Sequence, residues 1–209
     1  MTSERGVLFD LDSTLIDSSQ AVMGAWFQLA DEAGFHRELL RDLHGIPAEG
    51  CLRIVMPDAD EDAIAHWAKR AETLEVEHKS EIFPIPGALD LLEHLASQEI
   101  PWAIVTSCTA PLAAVRIQAA GLPQPHALVT FTDVTHGKPH PEPFLLGATR
   151  INVAPKHCWV VEDAHSGTTA GKAAGCKVAG VLTTNPREKL PNADHYLEHL
   201  MDLVPLLEL

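Results

Sequence analysis

Five short apolar runs, separated by helical patterns, constrain this chain more than any other feature of it. Gly6-Val-Leu-Phe-Asp10, Trp102-Ala-Ile-Val-Thr106, Ala127-Leu-Val-Thr130, Cys158-Trp-Val-Val161 and Val178-Ala-Gly-Val-Leu182 are too short for membrane spans and too uniformly apolar for a half-exposed sheet. Helical patterns fall between them at about 86–97, 110–121, 141–151 and 165–175. Strands that alternate with helices predict a parallel sheet covered on both faces, an α/β core of Rossmann-like type.

The stretch from about 18 to 82 breaks that rhythm and holds no convincing strand. Its helical patterns run over 18–34 and 60–81. Asp17 stands where a capping residue would, with Gln20 three positions on. Val22, Trp26, Leu29, Ala30 and Ala33 recur at helical spacing, which favours cap core for Trp26. Pro84-Ile-Pro86-Gly87 closes the region. The expected organisation is a core of residues 1–15 and 84–209 with a small α-helical cap, 16–83, inserted after the first strand. A last short helix is expected over 196–207, from Leu197, Leu200 and Leu203.

In an open parallel sheet, ligands bind where the strands end at their carboxyl side. The first apolar run ends in Asp10-Leu-Asp12-Ser13-Thr14, the second in Thr106-Ser107, the fourth in Glu162-Asp163, and the loop after the third carries Lys138. A lone D-x-D is as readily a solvated turn. Four acids and a lysine gathered at one edge are different, because close carboxylates repel. A divalent cation with oxygen ligands relieves that repulsion.

Taken in order and spacing, DLDSTL, IVTS, GKPHPEPF and VVEDAHSG resemble the four motifs of the haloacid dehalogenase-like hydrolases, and the resemblance covers essentially the whole chain. GKPHPEPF, EDAHSGTTAGKAAGCKVAGVLTT and His44-Gly45 are most similar to glycerol-3-phosphatases and 2-deoxyglucose-6-phosphatases. The resemblance implies a phosphatase in which Asp10 is the nucleophile and Asp12 the acid and base. It implies that Thr106, Ser107 and Lys138 hold phosphate, with Thr14, His44 and Gly45 as further substrate contacts. Because the core residues meet only phosphate, further cap candidates are Ile46 and, in the first cap helix, the region near Val22, Met23 and Trp26. Mg²⁺ would be bound by Asp10, Asp12 (through its carbonyl) and Asp163, with Glu162 supporting that shell. Where these enzymes usually read D-x-D-G-T, this chain has Ser13, which is strained if the position takes positive φ.

Asp12 separates the candidate reactions: an alkoxide leaving group needs a proton and a halide does not. A sugar-phosphate mutase of the beta-phosphoglucomutase type is the rival. It would carry a histidine where this chain has Val22 and an arginine within what is here Gly45-Ile46-Pro47-Ala48. A phosphonate hydrolase would need a cap lysine, and Lys69 and Lys79 lie in a charged helix. An inactive phosphate-binding relative is disfavoured by the retention of both Asp10 and Asp12.

Charge narrows the partners. With 15 basic against 29 acidic side chains, the formal charge is −14, a poor match to nucleic acid or to an anionic membrane surface. The expected partner is a small phosphorylated metabolite, bound by a monomer or weak homodimer. The four cysteines form no C-x-x-C pair, and MTSERGVLFD is not a secretory leader, so a cytoplasmic protein with reduced thiols is expected. Among the twelve histidines, His136 and His140 flank Lys138; zinc needs more ligands than these two, and they read as loop residues. Cys108 is close to the site but surrounded by acids that disfavour a thiolate. Gly171-Lys172 is followed by Ala173 where a nucleotide loop needs a hydroxyl, so small residues packing a helix on the sheet are the better account.

Overall fold

The structure is a computed structural model, and it describes residues 5–41 and 48–208. The chain divides into two compact units, Met1–Asp17 with Phe83–Leu209, and Ser18–Ile82.

The larger unit is built on a parallel sheet. Its strands are β1 (Gly6–Phe9), β4 (Trp102–Val105), β5 (Ala127–Val129), β6 (Cys158–Glu162), β7 (Lys177–Val181) and β8 (His195–Leu197), in the order β5-β4-β1-β6-β7-β8. Two further strands, β2 (Ile16–Asp17) and β3 (Phe83–Pro84), pair antiparallel where the chain leaves and re-enters this unit. Register brings Val7 beside Trp102 on one side and Trp159 on the other, so β1 is central. Residues of both parities along β1 and β4 are buried, which requires cover on both faces. One of those faces is a cluster that joins Leu8, Ala103, Val105, Val160 and Val178 to Phe144, Ala148 and Ala170. The last three lie on α6 (Glu142–Arg150) and α7 (His165–Ala173), and α4 (Ala88–Ser97) and α5 (Ala110–Ala119) complete the long helices of the unit.

Close helix–sheet approach explains the glycines of α6 and α7. A Cβ at Gly147 would lie 2.9 Å from Val105 Cγ2, and one at Gly171 would lie 2.9 Å from Val160 Cγ1. The run around Gly171-Lys172 is therefore a packing surface, as its small residues suggest.

The smaller unit contains α1 (Ser19–Ala33), α2 (Ala48–Val55) and α3 (Glu61–Glu77). Ala25, Trp26, Leu29, Leu52, Val55, Ile64, Ala71 and Leu74 form its core, and Trp26 Nε1 donates to Glu75 Oε1 at 3.3 Å. Trp26 is thus a core residue of this unit. Among the described residues, no helix is long and apolar enough to cross a membrane.

Two local expectations are corrected. The segment 196–207 is not one helix: it is β8, a 3-10 turn at Leu200–Leu203 and the single turn α8 (Val204–Leu207). Leu197, Leu200 and Leu203 are all buried, so their helical spacing is met by a strand followed by a tight turn. Asp17 does not cap α1. It is held in β2 opposite Phe83, and the N-cap position of α1 is taken by Ser18.

Candidate active site

The carboxyl edge of the sheet collects the functional side chains because every paired strand of it runs the same way. Asp10 follows β1 directly, its N–H donating to Val161 O at 3.0 Å, so its backbone is still held by the ladder. Thr106 extends β4 in the same manner, donating to Val129 O at 2.9 Å. Both acids that end β6 are buried, Glu162 and Asp163. Rigid backbone positions these groups before any ligand arrives.

Lys138 ties the edge together. Its ammonium donates to Asp10 Oδ1 at 2.6 Å, to Glu162 Oε1 at 2.6 Å and to Val105 O at 2.8 Å, three acceptors for three protons. It also lies 5.1 Å from the centre of the Phe144 ring. The side chain is only 6% exposed, so this cation works in a weakly screened setting.

Asp10, Glu162 and Asp163 place one carboxylate oxygen each within 4.8 Å of one another, all buried. Three carboxylates around a single ammonium leave excess negative charge. Burial pushes Asp10 up to about 7, resisted by Lys138 and reinforced by Glu162 and Asp12. Burial and the charge of Asp10 push Asp163 up to about 6. Glu162 is also raised by its burial. Burial alone would lower the Lys138 ammonium, yet Asp10 and Glu162 hold it above the usual lysine value.

This donor set fits a small hard cation. All the donors are oxygens, the ligand type that magnesium prefers, and they lie within 4.8 Å of one another. Asp10 and Asp163 are the better donors. Both Glu162 oxygens are already engaged, one by Lys138 and the other by the Ala164 N–H at 3.1 Å. Gly167 makes room for them, since a Cβ there would fall 1.7 Å from Glu162 Oε1. Glu162 therefore orients Lys138 first.

Asp12 is turned elsewhere. Its Oδ2 meets Arg116 Nη1 at 2.7 Å and the Cys108 thiol at 3.1 Å, and Arg116 Nη1 also reaches Cys108 Sγ at 3.0 Å. It does not join the acid trio, so any share it takes in a cation falls to its main-chain carbonyl. The Cys108 thiol is pushed well above its usual value by burial and by Asp12, with partial relief from Arg116. It is held as a neutral thiol. Thr106 Oγ1 accepts the Cys108 N–H at 3.1 Å, and Ser107 beside it is exposed.

The three further substrate contacts expected from the sequence are Thr14, His44 and Gly45. Thr14 is buried within the turn where the Leu15 and Ile16 N–H groups both donate to Leu11 O. His44, Gly45 and Ile46 lie outside the described residues. Ser13 has φ 63°, with its N–H donating to Ile16 O at 2.7 Å and its carbonyl accepting from Thr183 Oγ1 at 2.5 Å. The left-handed turn is thus real and is built with a Cβ.

Arg116, Thr184 and Asn185 were missed from the sequence. Thr184 Oγ1 donates to Asp163 Oδ2, and Asn185 Nδ2 donates to Asp163 O at 3.1 Å. The available signal was topological: β7 ends at the same edge as β1, β4 and β6, so its following loop belongs to the site. Arg116 gave no signal, since an arginine in a helix is ordinarily solvated.

Comparison with known proteins agrees with this geometry. A family model described as haloacid dehalogenase-like hydrolase matches residues 7–181. Hexitol phosphatase A of Escherichia coli is 43% identical over 197 residues, covering 94% of this chain and 91% of that one. Glycerol-1-phosphate phosphohydrolase 2 of Saccharomyces cerevisiae is 34% identical over 188 residues, covering 85% of this chain and 74% of that one. Among solved structures, a hydrolase from Pseudomonas syringae superposes with a TM-score of 0.83 at 25% identity, over 98% of both chains. On the extent of these matches, the chain belongs to the haloacid dehalogenase-like hydrolase family.

Proposed function

We propose that this phosphatase hydrolyses a small sugar or polyol phosphate by way of a covalent phosphoryl group on Asp10. A carboxylate oxygen of Asp10 attacks phosphorus, and the bond to the leaving alcohol breaks as Asp12 gives that oxygen a proton. Asp12 then takes a proton from water, which attacks the acyl phosphate and frees Asp10. Lys138 offsets charge on Asp10 and on the equatorial phosphate oxygens, while Thr106 and Ser107 hold those oxygens at the strand end. Mg²⁺, held by Asp10, Asp163 and the Asp12 carbonyl, would supply further positive charge to the phosphate.

The observation that carries this reading is the Lys138 ammonium fixed 2.6 Å from both Asp10 and Glu162 beside Asp163. Phosphoryl transfer needs positive charge next to an in-line nucleophile; Lys138 supplies one cation here, and the carboxylates in excess of it suit a bound metal ion that would supply the rest. The similarity to a hexitol phosphatase and a glycerol phosphate phosphohydrolase supports the substrate class. We read residues 16–83 as the cap that adds specificity, with Mg²⁺ as the cofactor and the cytoplasm as the compartment. The test is a panel of hexitol, deoxyhexose and glycerol phosphates with Mg²⁺, scored by released phosphate. Release that Asp10→Asn abolishes is expected; release that survives Asp10→Asn, or silence across the panel, overturns the reading.

A further inference from the structure

The loop that delivers Lys138 carries a second group of metal-ligating side chains, facing solvent and separate from the acid trio. His136 and His140 stand on either side of Lys138, and Glu142 opens α6. The sequence suggests two imidazoles and no more; the fold adds a carboxylate between them. His136 Nδ1 is 3.1 Å from Glu142 Oε2, His140 Nδ1 is 3.8 Å from the same oxygen, and the two rings are centred 4.7 Å apart. One ligand atom from each residue lies within 4.8 Å of the others. Neighbouring ligands around a four-coordinate zinc-type ion stand roughly 3.3 Å apart, from bonds of about 2.0 Å. The trio is close to that spacing without rearrangement of the backbone.

We propose that His136, His140 and Glu142 form a binding site for a borderline transition cation of the zinc class. Two imidazoles and a carboxylate are a donor set that prefers such ions over magnesium. The carboxylate is already oriented, with Oε1 accepting the Thr135 N–H at 2.8 Å and Oε2 the His136 N–H at 3.0 Å. Those bonds fix the plane of the carboxylate as an outer shell does in established sites. An ion bound through these atoms would displace two contacts, the His136 Nδ1–Glu142 Oε2 hydrogen bond at 3.1 Å and the long one from the Glu142 N–H to His140 Nδ1 at 3.3 Å. The side chains are 63%, 51% and 31% exposed, so an ion has an open path and water can complete its coordination. The acidic field of the molecule draws cations toward it. An ion seated here links the two ends of the stretch that carries Lys138.

The test uses Co²⁺ as a coloured stand-in for Zn²⁺, titrated into the full chain in excess Mg²⁺ so that the acid trio is occupied. Imidazole-ligated Co²⁺ of low coordination absorbs far more strongly than the hydrated ion. The site predicts one such equivalent, displaced by Zn²⁺, with affinity lowered tenfold or more by His136→Ala and by His140→Ala and unchanged by Asp163→Asn. Both histidines are exposed, so these variants fold, which circular dichroism verifies. Absence of the band in the wild type, its survival in both histidine variants, or its loss in Asp163→Asn overturns the proposal. None of these readouts depends on turnover, so the outcome stands apart from the phosphatase reading.

Discussion

Replacing Lys138 by methionine removes the cation and keeps the aliphatic stem. The ammonium makes two 2.6 Å bonds to carboxylates and one 2.8 Å bond to Val105 O, in a side chain 6% exposed. Removing one partner from a buried ionic group costs about 3–5 kcal/mol, because the other charges are left without compensation. For a chain of this size, that corresponds to a fall in Tm of roughly 6–20 °C. The sign with pH follows from the carboxyls. Asp10 and Asp163, already raised to about 7 and about 6 with Lys138 present, bind protons in the folded state at a pH where the unfolded chain has released them. Their contribution to stability is full below the ordinary carboxylate value and is lost as pH rises through 6 and 7. Without Lys138 they rise further, so the variant loses most at alkaline pH and recovers as acid neutralises the cluster. Calorimetry and denaturant titration in chelator should show the full loss at about pH 8 and less than half of it at about pH 5.5. A loss under about 1 kcal/mol at the higher pH, or one that grows toward acid, refutes the reasoning.

Other substitutions probe the same edge. Gly167→Ala drives a Cβ to within 1.7 Å of Glu162 Oε1, and should cost about 1–3 kcal/mol and depress kcat as Lys138 loses its partner; Gly137→Ala, with open space around it, should do neither. Ser13→Gly removes a left-handed strain of about 1–2 kcal/mol and adds a smaller backbone entropy cost, so denaturant midpoints should rise slightly; a loss above about 1 kcal/mol contradicts this. Asp12→Ala should slow alkyl phosphates much more than para-nitrophenyl phosphate, whose phenolate leaves without a proton; equal losses in kcat count against the acid role.

The core was legible where burial on both faces makes a strand uniformly apolar, as in Val7–Phe9 and Trp102–Val105. β8 escaped notice because its first residue, His195, is exposed, and Leu197, Leu200 and Leu203 imitate a helix. Capping at Asp17 failed because pairing with Phe83 overrode a local preference. At the site, parallel strands make their ends converge, so Asp10, Lys138, Glu162 and Asp163 could be grouped from order alone. Arg116 could not, since its place beside Asp12 depends on how α5 is turned. Glu162 shows the same limit: sequence marks it as an acid near the cation, while only the clearance at Gly167 shows why its oxygens face Lys138 and the Ala164 N–H.

The covalent step is the claim on which the rest depends, and it can be trapped directly. Turnover of a good substrate is stopped in acid, the protein is reduced with borohydride, and its peptides are sequenced by mass spectrometry. An acyl phosphate on Asp10 is converted to homoserine at that position, in a yield that rises with substrate. Steady phosphate release with Asp10 recovered unmodified, or with the modification on another residue, would contradict the account.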